Sequence, residues 1–380
     1  MWLSAEEALQ RLHVKPQTLY ANVSRGRIRA KADPADTRRS LYRSEDVDRL
    51  AGRPRGRRSA TSIASGALDW GEPVLASAIS TIAGGRLIYR GVDASLLAET
   101  ATLEDAAALL WDVPSIPGLD EAATDAVHGL SLAAPLEALA ARAAVDPPSA
   151  GRGAFPLRQD AGAVFRTVAT SLLGAGSGPL HLRLAGAFGR QGAADLLRRA
   201  LVLLADHELN ASTLAARVAV SAGASLSAGA LAALATLSGS RHGNAARAVL
   251  ALAEDIAANP VDPVSGLRDW LGEGRIVPGF GHPAYPDGDI RCAALLAQID
   301  LPPAFRNLRE AGLAVLDDAP NIDFALAALA AAHGLPPEAP VTIFALARTA
   351  GWLAHMLEQA ESGTLIRPRA RYIGPSPTVP

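Results

Sequence analysis

Two stretches, SLSAGALAALATLSG (225–239) and DFALAALAAAHG (323–334), are apolar on nearly every face of a 3.6-residue helix. A helix with no polar side has to be surrounded by other helices, so this chain needs a large bundle with central members. The rest of the chain supplies the outer helices. TLEDAAALLWDV, DEAATDAVHGLSL, AGAVFRTVATSLL and AADLLRRALVLLADH carry apolar residues three and four apart, with Gly and Pro falling between the segments. No run of eighteen apolar residues occurs, so no membrane span is expected. No alternating βαβ pattern, GxGxxG or P-loop is present, which disfavours nucleotide-binding sheets. One exception to the helical pattern is ISTIAGGRLIYRG (79–91), where two β-prone runs around Gly84-Gly85 predict a small hairpin. The fold class is therefore all-α for the body, from about residue 67 to 380.

Charge separates this body from the start of the chain. Residues 1–58 hold 14 Lys/Arg against 7 Asp/Glu, and the remainder holds 22 against 31. A basic head on an acidic body predicts two units with different partners. In the head, LSAEEALQRL reads as a helix capped by Ser4, HVKP as a break and QTLYANVSRG as a second helix stopped by Gly26. A hairpin wing and a third helix follow. Residues 1–51 thus resemble the small winged helix-turn-helix module of the MerR and excisionase type. Gln17, Thr18, Tyr20, Asn22 and Arg25 could reach bases or phosphates, and Arg27, Arg29, Lys31, Arg38 and Arg39 could track a DNA backbone. The alternative is an accessory domain that packs on protein and never meets DNA. GRPRGRRSATSIASG (52–66) reads as a basic flexible linker. The charged N-terminus lacks a signal-peptide core, and the single cysteine, Cys292, implies no disulfide framework, so a cytoplasmic setting is expected. Cys292 reads as a small buried residue, since no activating base adjoins it.

Eight histidines are the candidates for chemistry. His13 lies in the break of the head, and His128, His181, His333 and His355 lack dense polar company of a catalytic kind and read as structural or surface residues. His207 (LLADHELNAST) ends an apolar helix, His242 (LSGSRHGNAA) follows a Ser/Gly break, and His282 (GFGHPAYPDGDIRC) sits in a tight Gly/Pro loop. No HxxxH or Cys/His cluster suggests a metal. Asp323 stands at the entrance of a wholly apolar helix. It is either an N-terminal helix charge or, in a dry pocket, a base. Arg291, Arg348 and Arg367 lie in or beside apolar or Gly/Pro-bounded stretches, where a guanidinium wants an anionic partner.

Taken in order, LLADHELNASTLAARV, LSGSRHGNAA, VPGFGHPAYPDGDIR, PNIDF, FALARTAGWLAHMLEQ and IRPRARYIG resemble the citrate synthase family, over roughly residues 68–376. The resemblance implies a large and a small helical domain, the small one spanning roughly 210–315. It implies condensation of acetyl-CoA with oxaloacetate to citrate and CoA, or of propionyl-CoA to 2-methylcitrate, with no tightly bound cofactor. His242 matches the group that stabilises the enolate, Asp323 the base, and His282 the histidine that polarises the ketone. His207, Arg291, Arg348 and Arg367 match the residues that hold the acceptor carboxylates. Arg367 matches one that the family takes from a neighbouring subunit, which implies a homodimer. Three positions depart from the pattern. HGNAAR stands where HGGANE is usual, Pro286 where a basic residue is often found, and Ile290 where proline is common. These departures sit at the coenzyme end, so no coenzyme-binding residue is assigned, with Arg247 a candidate replacement cation. A different class of function, a ligand-sensing DNA-binding regulator with such a body, also fits the basic head.

Overall fold

The computed structural model describes residues 2–12, 19–20, 22–23, 28–34, 36–51, 75–119, 128–239, 242–258, 262–316, 318–370 and 372–375. The chain divides into two compact units, Met1–Ala76 and Ser77–Pro380.

The first unit begins with strand β1 (Trp2–Leu3) and helix α1 (Ala5–Leu12), continues as strands β2 (Ala30–Asp33) and β3 (Asp36–Arg43), and ends in helix α2 (Ser44–Ala51). The three strands pair antiparallel in the order β1-β3-β2. Ser4 and Glu7 exchange hydrogen bonds at the start of α1, the reciprocal cap that an S-x-x-E spacing produces. Leu3, Ala8, Leu12, Leu19, Ile28, Tyr42 and Val47 make a small separate core. The hairpin and the last helix lie where a wing and third helix are expected. The proposed turn and most of the second helix fall on residues 13–18, 21 and 24–27, outside the described residues, as does the linker 52–66.

The second unit carries the hairpin β4 (Ser80–Ala83) and β5 (Arg86–Tyr89), with the short strand β6 (Val92–Asp93) added to its edge. Gly84 and Gly85 both have positive φ, the requirement of a two-residue primed turn. Helices follow. They are α3 (Ala94–Leu97), α4 (Leu103–Trp111), α5 (Ala133–Ala143), α6 (Ala154–Leu173), α7 (Leu180–Ala187), α8 (Ala194–Leu204), α9 (Ala211–Ser221) and α10 (Leu226–Leu237). Then come α11 (Ala245–Ala258), α12 (Pro263–Gly272), α13 (Ile290–Leu296), α14 (Pro303–Leu316), α15 (Ile322–His333) and α16 (Ala339–Ser362). No described helix is long and apolar enough to cross a membrane.

Of the two apolar-all-round segments, 323–334 occupies the centre as its pattern requires, whereas 225–239 leaves one side open, with Ala235 exposed. Helix α15 buries Phe324 through Ala330. Helix α16 buries every residue from Thr342 to Leu357 and packs against α4, α6, α8, α9, α10, α11 and α15. At Gly351 the helix meets the segment that follows α8. A Cβ there would lie 2.3 Å from Asp206 Oδ1 and 2.4 Å from Ala205 O. Only glycine permits that approach, which lays the middle of α16 beside the turn bearing His207.

Candidate active site

Each candidate side chain is positioned by a local device. His207 follows α8 in a turn whose next residue, Glu208, has φ +50, in the left-handed region that non-glycine residues seldom adopt. The hairpin holds this turn. Ser80 Oγ donates to Asp206 Oδ2, Glu208 N donates to Ser80 Oγ at 3.1 Å, and Ile82 N donates to Glu208 Oε1 at 2.7 Å. His282 sits in a loop tied to the entrance of α15. Gly281 N donates to Ala319 O (2.9 Å), Asn321 N to Gly279 O (2.8 Å), and Asn321 Nδ2 to Gly281 O (3.0 Å). Gly279, at φ +83, leaves no room for a Cβ, which would meet Val249 Cγ2 at 2.7 Å. Asn321 also caps α15, accepting from Asp323 N at 3.1 Å. One side chain therefore registers the His282 loop and the Asp323 helix together.

Asp289 makes the second tie. It is the N-cap of α13 and receives Nε and Nη2 of Arg291 at 2.9 and 2.8 Å, a bidentate pair with both members buried. Its Oδ2 also accepts from Ile322 N at 3.0 Å, immediately before Asp323. Burial opposes charge on both groups, but their mutual attraction outweighs it, lowering the carboxyl and raising the guanidinium pKa. Arg348 differs. It is buried in α16 with no carboxylate hydrogen-bonded to it among the described residues, although Asp206 attracts it from nearby. Its Nε donates to Leu204 O at 2.9 Å and its guanidinium lies 4.7 Å over Phe344. Desolvation lowers its pKa to about 10, so it stays cationic at neutral pH.

The rings converge around these cations. His207 and His282 lie edge to face with centroids 5.2 Å apart. Tyr285 joins both, with its ring 5.0 Å from His282 and its hydroxyl 3.0 Å from His207 Nε2, while Arg291 Cζ lies 5.1 Å over its face. His242 meets Phe344 edge to face, with centroids 5.7 Å apart. Its Nε2 is 2.8 Å from Ser212 Oγ, which also lies 2.7 Å from Asn210 Oδ1 and receives Trp352 Nε1–H at 3.1 Å. Burial and the neighbouring guanidiniums bring His242 and His282 down to about 4 and push His207 well below its ordinary value. All three rings are therefore neutral at pH 7. Ala284 N–H donates to His282 Nδ1 (3.2 Å), which places that ring's proton on Nε2.

Asp323 shows the opposite shift. Its position in the first turn of α15 and the nearby guanidiniums favour the anion, yet burial prevails and raises its pKa to about 6. Its Oδ1 is buried with no hydrogen-bond partner among the described residues. A buried carboxylate oxygen left unsatisfied is poised to take a proton from whatever enters beside it.

Six of the seven candidates, His207, His242, His282, Arg291, Asp323 and Arg348, thus form one electrostatically coupled group. Arg367 is not among them. It is exposed, on the extended segment after α16. Tyr285, Asp289, Ser212, Trp352 and Phe344 belong to the group and were not singled out by sequence. His355 is a structural residue, as read, although its polar company is dense. Arg217 Nη1 donates to its Nδ1 at 3.1 Å, leaving Nε2–H for the fully buried Asp206, at 3.2 Å. Cys292 is buried and its thiol pKa is pushed up by desolvation, which rules against a nucleophile. Among the described residues no set of three or more His, Cys, Asp or Glu could hold a metal ion. A separate cleft of about 320 Å³, lined by Glu104, Arg183 and neighbours, contains none of the seven candidates.

The chain that carries these residues matches a known family. The family model described as citrate synthase, C-terminal domain, matches residues 173–369. The chain belongs to the citrate synthase family. A citrate synthase of Haloferax volcanii is 39% identical over 191 residues, covering 48% of this chain and 50% of that protein. A 2-methylcitrate synthase of Corynebacterium glutamicum is 34% identical over 188 residues, covering 46% and 48%. The chain spans about half the length of the curated relatives it matches. The structural likeness is broader. The citrate synthase of Thermoplasma acidophilum, solved in ternary complex with carboxymethyl coenzyme A and oxaloacetate, superposes with a TM-score of 0.68 at 25% identity, covering 81% of this chain and 96% of that one.

Proposed function

We propose that the body condenses acetyl-CoA with oxaloacetate to give citrate and free CoA. The observation that carries this reading is Asp323, a carboxylate raised to about 6 with an unpartnered oxygen, set among neutral imidazoles and two buried guanidiniums. Asp323 takes a methyl proton of the thioester. His242 stabilises the enolate oxygen by donating from Nδ1, which requires the Ser212 hydroxyl proton to turn from Asn210 Oδ1 to Nε2. The enolate carbon attacks the ketone carbon of oxaloacetate, whose oxygen receives the proton of His282 Nε2. Arg291 and Arg348 hold carboxylates, because each retains guanidinium N–H groups with no acceptor among the described residues. Water then cleaves the thioester and releases the thiol.

Several finer points belong to the same proposal. A large and a small domain, the latter roughly 210–315, close over the substrates. A homodimer brings Arg367 to a partner's site, supported by its exposure on a segment that also exposes Leu365, Tyr372 and Ile373. Arg247, at a small recess with Gly243, Asn244 and Pro340 beside His242, is the candidate contact for coenzyme phosphate. A cytoplasmic setting suits the one buried, unpaired cysteine. For residues 1–51 a helix-turn-helix-like unit is supported by α1, the β2–β3 hairpin and α2. DNA contact by this unit has less support, since Arg29 and Arg39 are paired with Asp46 and Asp36 and Lys31 lies 4.2 Å over Trp2.

Propionyl-CoA in place of acetyl-CoA, giving 2-methylcitrate, differs by one methylene, a discrimination of about 10- to 200-fold in a shaped pocket. Thiol release measured with both acyl-CoAs side by side tests the reading. A preference for acetyl-CoA supports it, a preference for propionyl-CoA converts it to the 2-methylcitrate form, and no turnover with either by the folded protein rejects it.

A further inference from the structure

We infer that Tyr285 donates its phenol proton to His207 Nε2 and thereby fixes His207 as the tautomer bearing its proton on Nδ1, which makes Tyr285 a positioning residue for the acceptor. The inference rests on the reading of this pocket as an oxaloacetate site.

Tyr285 is 2% exposed, and its hydroxyl lies 3.0 Å from His207 Nε2. No other partner for that hydroxyl exists among the described residues. A phenol has one proton to place, and a buried polar group is rarely left without a partner. If His207 instead donated from Nε2, the phenol proton would be buried with no acceptor, and His207 would turn a bare Nδ1 lone pair toward an incoming carboxylate. With the phenol as donor both conflicts vanish. Its proton has an acceptor, and Nδ1–H becomes a hydrogen-bond donor for the anion.

The surroundings keep both partners in the required states. Desolvation raises the Tyr285 pKa to about 12, so the phenol keeps its proton. Burial, then Arg291, Arg348, His282 and His242, hold His207 neutral, so it has one nitrogen free to accept. The Tyr285 ring does separate work. It packs against His282 at 5.0 Å and under Arg291 at 5.1 Å. Hydroxyl and ring can therefore be removed one at a time. Tyr285→Phe removes only the proton donor, and Tyr285→Leu removes the stacking surface as well.

The test is ¹⁵N-histidine NMR of the full-length protein, with His207 assigned by the resonances lost in His207→Gln. The wild type is expected to show a protonated Nδ1 and an unprotonated Nε2. Tyr285→Phe is expected to shift His207 toward the other tautomer or an average of the two. In steady state, Tyr285→Phe is expected to raise the KM for oxaloacetate about tenfold, the scale of one hydrogen bond to a charged group, with the KM for acetyl-CoA unchanged. Tyr285→Leu is expected to raise it further. A protonated Nε2 in the wild type, or an unchanged tautomer in Tyr285→Phe, overturns the inference. The NMR arm needs no turnover, so a failure of the proposed reaction is distinguishable from a failure of this assignment.

Discussion

Two arginine pairs, one in each unit of this protein, show opposite uses of the side chain. In the first, Arg11 pairs with Asp48 at 3.1 Å with side chains 45% and 55% exposed. In the second, Arg291 pairs with Asp289 at 2.8 Å with side chains 3% and 1% exposed. Water screens the first pair, so it contributes little and is free to exchange partners. The second pair sits in a medium where each charge is costly alone and strongly held together. A surface pair decorates a unit, whereas a buried one fixes the direction of a guanidinium. Arg348 extends the contrast, since among the described residues its hydrogen bond goes to a backbone carbonyl and its face to a phenyl ring, while Asp206 attracts it without a direct bond. A buried cation with guanidinium N–H groups left over is what an anionic ligand would complete.

The consequences can be ranked. The largest effect is expected at Asp323. Asp323→Asn should cut turnover by roughly 10³-fold or more, the scale of a lost general base, while oxaloacetate still binds. The folded pKa of Asp323 lies above its ordinary value, so its stabilising contribution is present below about pH 4 and is lost as pH rises through about 6. The Asn variant should therefore melt at an equal or higher temperature than the wild type at pH 8. Lower stability together with retained turnover would erase the contrast between this site and an ordinary surface.

Next comes the difference between the two buried arginines. Arg291→Leu strands Asp289 as a lone buried charge and should cost about 3–5 kcal/mol of unfolding free energy. Arg348→Leu strands no carboxylate, so it should lose acceptor binding with a clearly smaller stability penalty. Denaturant titration of both variants checks this, and equal losses would contradict the assigned pairing.

A smaller effect is expected from pH. Asp323 acts as a base only when ionised, so log kcat/KM should fall below about pH 6. His242 and His282, down at about 4, should add no inflection between 6 and 8. The smallest effect is expected in the first unit. A double-mutant cycle on Arg11 and Asp48 should return a coupling of about 0.2–1 kcal/mol, with turnover unchanged.

Much of this was legible in the sequence, for physical reasons. A helix apolar on all faces has one place to go, so α15 was readable as central, although α10, read the same way, leaves Ala235 exposed. Gly84-Gly85 between two β-prone runs dictated its hairpin. His207, His242, His282 and Asp323 stood out because ionisable groups beside apolar helices or tight glycine turns need a reason. What was hidden are the partners that act across the fold. Asp289 was not singled out, and its place two residues before Arg291 was the available signal. Tyr285 lies three residues from His282, but its bond to His207 spans 78 positions. Trp352 reaches Ser212 across 140. His355 read as inert because Asp206 and Arg217 are far from it along the chain. Periodicity reports which face is buried, not which polar atoms meet there.

The central claim, that this buried group of neutral imidazoles, guanidiniums and one basic carboxylate performs an acyl-CoA condensation, is tested most directly by one assay. Free thiol is followed with acetyl-CoA and oxaloacetate together, and with each alone, using the full-length protein. Release that requires both substrates, with citrate formed in equal amount, is the predicted result. No release, or release from acetyl-CoA that is indifferent to oxaloacetate, would contradict the account.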